Sequence, residues 1–165
     1  MAAIRSLVAA ALVASTLAGC SGFNFFNFMG SRDCLARAMY FESNRSSADG
    51  MLAVGTVVMN RVAAKGYPKT VCGVVGQHNQ FAPGVLTKAM SEPRSKALAY
   101  QVADQVLMGK RHPSLSSEVK FFHTVGYNFP YNNMNYVLEA GGNNFYIKQK
   151  AGTFTNDPFA MLAYW

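Results

Sequence analysis

Glu42 is the side chain with the strongest signal for chemistry. Leu35, Ala38, Met39 and Glu42 fall at i, i+3, i+4 and i+7, the spacing of one helix face. The first three are apolar and the fourth is a carboxylate. A carboxylate on an apolar face must be neutral, paired or used, because a lone charge is costly to remove from water. It follows Met39, Tyr40 and Phe41 and sits near the expected helix end, where the backbone dipole is negative. Desolvation and that dipole both raise the pKa of a carboxyl group. A Glu that keeps its proton near neutral pH can donate it to a leaving oxygen, as the general acid of glycoside cleavage does. The plain alternative is a Glu paired with Arg37, Arg45 or Arg61.

Glycoside cleavage usually takes two carboxylates. The chain has eight acids. Asp33, Asp49 and Glu92 read as residues of helix starts, Asp104 and Glu118 as solvated. Asp157 lies far along the chain, and Glu139, before Gly141-Gly142, is the one tempting partner. With no clear second acid, a one-carboxylate mechanism fits: a hydroxyl of the sugar itself attacks its own C1, and one Glu serves as acid and then as base.

Residues 121–146 hold eight aromatic residues and six asparagines. Ring faces pack against pyranose C–H faces, and amides bond acetamido groups and hydroxyls. Tyr127, Tyr131 and Tyr136 are the surface candidates; a Phe core with Asn in turns accounts for much of the rest. His123 follows Phe121-Phe122 and, taken alone, reads as a core histidine. No GxSxG elbow supports a nucleophilic serine. No HExxH or paired CxxC occurs, and His78, His112 and His123 are scattered, so no metal or other cofactor is expected.

These residues need a scaffold. Ser31 is a plausible N-cap for the Glu42 helix, with Asp33 in its first turn. Ser43 to Ser47 breaks that helix. Asp49-Gly50 opens a second, with Met51, Val54, Gly55, Val58 and Val62 at helical spacing and Gly66-Tyr67-Pro68 ending it. Val71 to Val75 is a short apolar segment and Gln80 to Gly84 a turn. Pro93 starts a third helix with Ala99, Val102, Ala103 and Val106 as its buried stripe and Gly109 at its end. Val119 to Thr124 and Asn144 to Tyr146 are strand candidates, the latter following the Gly141-Gly142 turn. Helices first and short strands later predict an α+β fold, and 165 residues suit one domain.

The N-terminus reads as an export signal. Arg5 precedes an uncharged apolar run from Leu7 to Ala18, too short to span a bilayer. The run ends Leu17-Ala18-Gly19-Cys20, which resembles a bacterial lipobox, with residues 1–19 as signal peptide and Cys20 as the acylated mature N-terminus. Acylation would hold the chain on a membrane, in the cell envelope facing the periplasm. Residues 20–31, with Phe23, Phe25, Phe26 and Phe28 among Asn and Gly, read as a flexible tether, leaving 32–165 for the domain. Cys34 and Cys72 then remain. Two cysteines in an exported chain suggest one disulfide, which in the chain-entropy model contributes about 4 kcal/mol; two buried thiols are the alternative. The net charge is +7, and +6 without Arg5. A basic exported chain suits an anionic polymer such as peptidoglycan, or lipid headgroups. No Lys/Arg cluster is dense enough to argue for nucleic acid, and a monomer is expected.

Several ordered segments resemble one family. Residues Cys34 to Glu42 (CLARAMYFE) are similar to the opening motif of the SleB/CwlJ-type cell-wall hydrolases. Ala53 to Val62 (AVGTVVMNRV) is similar to that family's second helix. Tyr67 to Val75, Gln80-Phe81, Phe122-His123 and Gly142 to Tyr146 follow in the expected order. The resemblance spans roughly residues 34–147. It implies a lysozyme-like α+β domain, a peptidoglycan lytic transglycosylase activity, and Glu42 as acid/base. Together with the composition, it makes Tyr40, Gln80, Phe81, His123, Tyr127, Tyr131, Tyr136, Asn144 and Tyr146 the candidate glycan contacts. The family often continues Glu-Ala-Arg-Gly-Glu, whereas this chain has Glu42-Ser43-Asn44-Arg45-Ser46. The loss of an acid at Ser46 keeps open a non-catalytic peptidoglycan-binding lipoprotein. A muramidase or amidase is the alternative among enzymes.

Overall fold

The computed structural model describes residues 21–149 apart from 44, 46 and 131, with side chains from residue 30 onward. The signal segment 1–19, Cys20, Ser46, Tyr131, Asp157 and the end of the expected domain lie outside the described residues. Four helices precede a small sheet: α1 (Ser21–Glu42), α2 (Ala48–Ala63), α3 (Val71–Val75), α4 (Pro93–Leu107), then β1 (Phe121–Thr124), β2 (Met134–Ala140) and β3 (Asn143–Lys148). This is the α+β order expected.

Helix α1 begins at Ser21, well before the start expected just after Ser31. Ser31 is therefore interior and caps nothing, and the segment read as a tether is helical from Ser21. Asp33 is not a first-turn acid. It accepts from Arg37 Nε one turn on at 2.7 Å and from the Tyr100 hydroxyl of α4. Arg32 reaches Asp104 of α4 at 2.5 Å and lies 4.5 Å from the Tyr100 ring centroid. These contacts brace α1 on α4. The predicted stripe holds, with Leu35, Ala38 and Met39 all fully buried.

Helix α2 is capped by Ser47, whose side chain accepts from Gly50 N at 3.0 Å, with Asp49 in the first turn. It is buried from Gly50 to Val58. Gly55 lets α1 and α4 close on it: a Cβ there would stand 2.1 Å from Met39 Cε and 3.2 Å from Val106 Cγ2. Thr70 caps the five-residue α3, and Pro93 opens α4 as predicted.

The sheet is antiparallel in the order β1-β3-β2. Strand β1 is shorter than its candidate, starting at Phe121. Gly141 and Gly142 form the predicted turn, both at positive φ (57° and 81°), as tight two-residue hairpins favour. Strand β2 was not legible. Its register slips between Tyr136 and Leu138, so the apolar alternation that marks a strand is broken there. Side-chain alternation gives the sheet two faces. Phe122, Leu138 and Phe145 face the helices. Phe121, His123, Tyr136, Asn144 and Tyr146 share the other face.

Candidate active site

Three segments meet at Glu42. Helix α1 ends there, and Ser43 closes the last turn by returning its hydroxyl to Met39 O at 2.7 Å. The backbone carbonyl of Glu42 would be an unpaired helix-end acceptor. Asn143 Nδ2, at the start of β3 and itself buried, donates to it at 2.5 Å. Asn143 reaches this point because the β2–β3 turn lies directly on the start of α2. A Cβ on Gly50 would be 2.4 Å from Gly141 Cα, and one on Gly141 would be 2.6 Å from Gly50 Cα. Only two glycines allow that backbone approach.

The carboxylate points at the loop after α3. Glu42 Oε1 accepts from Ala82 N at 2.5 Å. The Cys34–Cys72 disulfide ties α1 to α3, with Cα atoms 5.2 Å apart, which anchors the start of that loop. The pairing predicted for these cysteines is the one observed.

Glu42 forms none of the ion pairs found among the described residues. Arg37 is taken by Asp33 and Arg45 by Glu92, which removes two of the three structural partners considered. Arg61 is near enough to act on Glu42 electrostatically without an ion pair. Burial raises the Glu42 pKa above the ordinary carboxyl range; the Ala82 N–H and the Arg61 charge partly oppose it. Among the described acids, Asp33, Asp49, Glu92 and Asp104 have partners on other groups. Glu139 is exposed and opposite Asn144 in the sheet register.

Arg61 is the site residue that carried least weight in the sequence. It is a cation on the buried stripe of α2, the same signal that picked out Glu42. Its Nε donates to Lys120 O at 2.8 Å. Its guanidinium carbon lies 5.4 Å from the ring centroid of Phe81, 5.8 Å from Tyr67 and 6.0 Å from Phe122.

The outer sheet face gathers most of the predicted glycan contacts. His123 sits 5.0 Å from Phe129, 5.5 Å from Tyr136 and 5.7 Å from Tyr146, ring centroid to centroid. Tyr127 packs on Phe129 at 4.6 Å. Tyr127 is 60% and Tyr136 49% exposed, so both offer ring surface to solvent. His123 Nδ1 lies 2.9 Å from Thr124 O and Nε2 lies 2.9 Å from the Tyr136 hydroxyl. His123 is thus a half-buried member of an aromatic wall rather than a core histidine. The core histidine is His112, which is buried and bonded to Asp49 and Ser114. Asn144 joins the wall in the β3 register opposite His123. Tyr146 is nearly buried beneath Phe121 and Tyr136, and burial raises its pKa. Gln80 is exposed on the loop and Phe81 is half-buried over Arg61. Tyr40 is corrected. It is 1% exposed, and its hydroxyl accepts from Glu92 N at 3.1 Å, so it is a core residue pinning α4 to α1 with no face for a sugar. Ala82, Asn143, Phe121 and Phe129 were missed; a backbone N–H and a turn-following Asn carry no side-chain pattern to find.

The family model for cell wall hydrolases matches residues 45–146, more than half of the chain. The chain belongs to the cell wall hydrolase family. Two solved structures share the fold. The catalytic domain of the Bacillus cereus SleB protein superposes with a TM-score of 0.55 at 20% identity, covering 72% of this chain and 90% of that one. The catalytic domain of the germination-specific lytic transglycosylase SleB from Bacillus anthracis gives 0.53 at 20% identity, covering 79% and 99%. No curated protein matches the chain. The SleB/CwlJ-type resemblance is thereby borne out. This cell wall hydrolase is an enzyme that degrades peptidoglycan, at an extracytoplasmic location. Among the described residues, no helix is long and apolar enough to cross a membrane. The family match begins at residue 45, past Glu42.

Proposed function

We propose that this cell wall hydrolase cuts peptidoglycan glycan strands as a lytic transglycosylase, with Glu42 as its one acid/base. The observation that carries the reading is a buried carboxyl, raised by desolvation, in none of the ion pairs among the described residues and steered by one backbone N–H. In this reading Glu42 gives its proton to the glycosidic oxygen as the C1–O bond breaks. The muramoyl 6-hydroxyl then closes on C1, and the Glu42 carboxylate takes the hydroxyl proton. The proton count closes on Glu42 and no water is consumed. That suits a site where the described acids other than Glu42 are either paired elsewhere or exposed. The wall of His123, Tyr127, Tyr136 and Tyr146, with Asn144 beside it, supports the glycan by ring stacking and amide bonding. Gln80 and Phe81 border the same loop as Ala82, and Tyr131 extends the aromatic run in sequence. Acylated Cys20 would hold a monomeric enzyme on an envelope membrane, facing the wall.

The test is digestion of purified sacculi by the full chain in detergent, wild type against Glu42→Gln, with fragments read by mass spectrometry. Release of 1,6-anhydro muropeptides by wild type and none by the variant is the expected result. Reducing ends would indicate a muramidase and free peptides an amidase, and either would overturn the transglycosylase assignment. Binding to sacculi without release by either protein would leave the chain a wall-binding lipoprotein.

A further inference from the structure

Arg61 is 3% exposed, and its Nη1 is buried without a hydrogen-bond partner. A buried guanidinium is ordinarily held by a carboxylate, because desolvating a lone charge is costly. Here the held pairs are Asp33 with Arg37, Asp104 with Arg32 and Glu92 with Arg45. Arg61 instead has one backbone acceptor, Lys120 O, and three rings around it. A cation kept this way contributes poorly to stability, which points to a use for its charge. The Phe81–Ala82 dipeptide links it to Glu42. The ring of Phe81 lies 5.4 Å from the guanidinium, and the next residue's N–H bonds Glu42 Oε1 at 2.5 Å.

We propose that Arg61 is a positioning residue for Glu42: a fixed cation beside the carboxyl but not bonded to it, whose charge supports the ionised form when Glu42 must take a proton. The proposal rests on the lytic reading above. A direct ion pair would keep Glu42 ionised and remove the acid that starts the reaction. With no cation at all, the buried carboxylate formed midway would be too costly. The other charged or titratable groups around Glu42 do not replace Arg61. Arg45, just past α1, is committed to Glu92. Lys88 on the loop lies over the Phe41 ring at 5.7 Å. Tyr67 and Tyr146 act on Arg61, the Tyr67 ring centroid lying 5.8 Å from its guanidinium carbon. Removing Arg61 leaves burial less opposed, so Glu42 holds its proton to higher pH.

The experiment compares the full chain in detergent as wild type, Arg61→Gln and Arg61→Lys, digesting sacculi across a pH series. The Glu42 carboxyl is titrated by ¹³C NMR in each, a readout that needs no turnover. In Arg61→Gln, the Glu42 titration and the alkaline limb of the rate should both move up in pH, with the plateau rate down about tenfold and sacculus binding unchanged. Arg61→Lys, which keeps the charge, should restore most of the wild-type titration. If Arg61→Gln does not fold, Arg61→Met carries the same test, its apolar bulk suiting the ring box. An unmoved Glu42 titration in the neutral variant, with a lowered melting temperature as the sole change, would make Arg61 structural and overturn the proposal. Wild-type inactivity on sacculi would sink the cleavage reading instead, and the titration would still decide on Arg61.

Discussion

Glu42 is in tension with its own stability. Burial raises its pKa, so the folded chain binds the Glu42 proton more tightly than the unfolded chain does. Stability from this group is therefore greatest below the ordinary Glu range and declines as pH rises from there through the raised folded value. Glu42→Gln removes that decline. The variant should match wild type in melting temperature at low pH and exceed it at neutral and alkaline pH, while cleavage falls by at least about a hundredfold. Thermal melts across pH check the first statement and sacculus digestion the second. Equal pH dependence of the two melts would mean that Glu42 is not desolvated in solution.

Helix α1 presents the carboxyl, and two other elements hold its end. The β2–β3 turn delivers Asn143 to the Glu42 carbonyl through the Gly50–Gly141 contact. Gly50→Ala should push the turn away, cost about 1–3 kcal/mol as an overpacked contact, and reduce cleavage by displacing Asn143. A melting temperature and rate equal to wild type would show that the turn can yield. On the other side, α3 has five residues, too few to be stable alone, and the Cys34–Cys72 bridge fastens it to α1. Reduction should cost up to about 4 kcal/mol and free the loop that carries Ala82. Melting with and without reductant checks this, and an unchanged transition would remove the bridge from the account of stability.

The whole molecule sets a helical body carrying the acid beside a small sheet carrying the aromatic wall. Strand β3 joins the two, since Asn143 turns to Glu42 and Asn144 to the wall. Tyr127→Ala with Tyr136→Ala should weaken sacculus binding several-fold, at about 0.5–1.5 kcal/mol for each aromatic contact, with the Glu42 titration unmoved. Binding equal to wild type would place the glycan elsewhere. Much of this was legible locally. The period of Leu35, Ala38, Met39 and Glu42 marked both a helix and its acid, and Pro93, Gly141 and Gly142 marked element ends, because backbone preference and amphipathic spacing act over a few residues. The cysteine pair was readable by count. Other features belong to long-range packing and leave no local pattern. Tyr40 resembled a sugar contact until α4 covered it, and β2 was hidden by a register slip that only its partner strand reveals. Which group bonds Glu42, and that Arg61 stands by it unpaired, depend on contacts across 40 residues to Ala82 and 101 to Asn143. Side-chain type and spacing singled out the Glu42 carboxyl; its burial and its Ala82 N–H partner were decided by the tertiary structure, because both depend on segments distant in sequence.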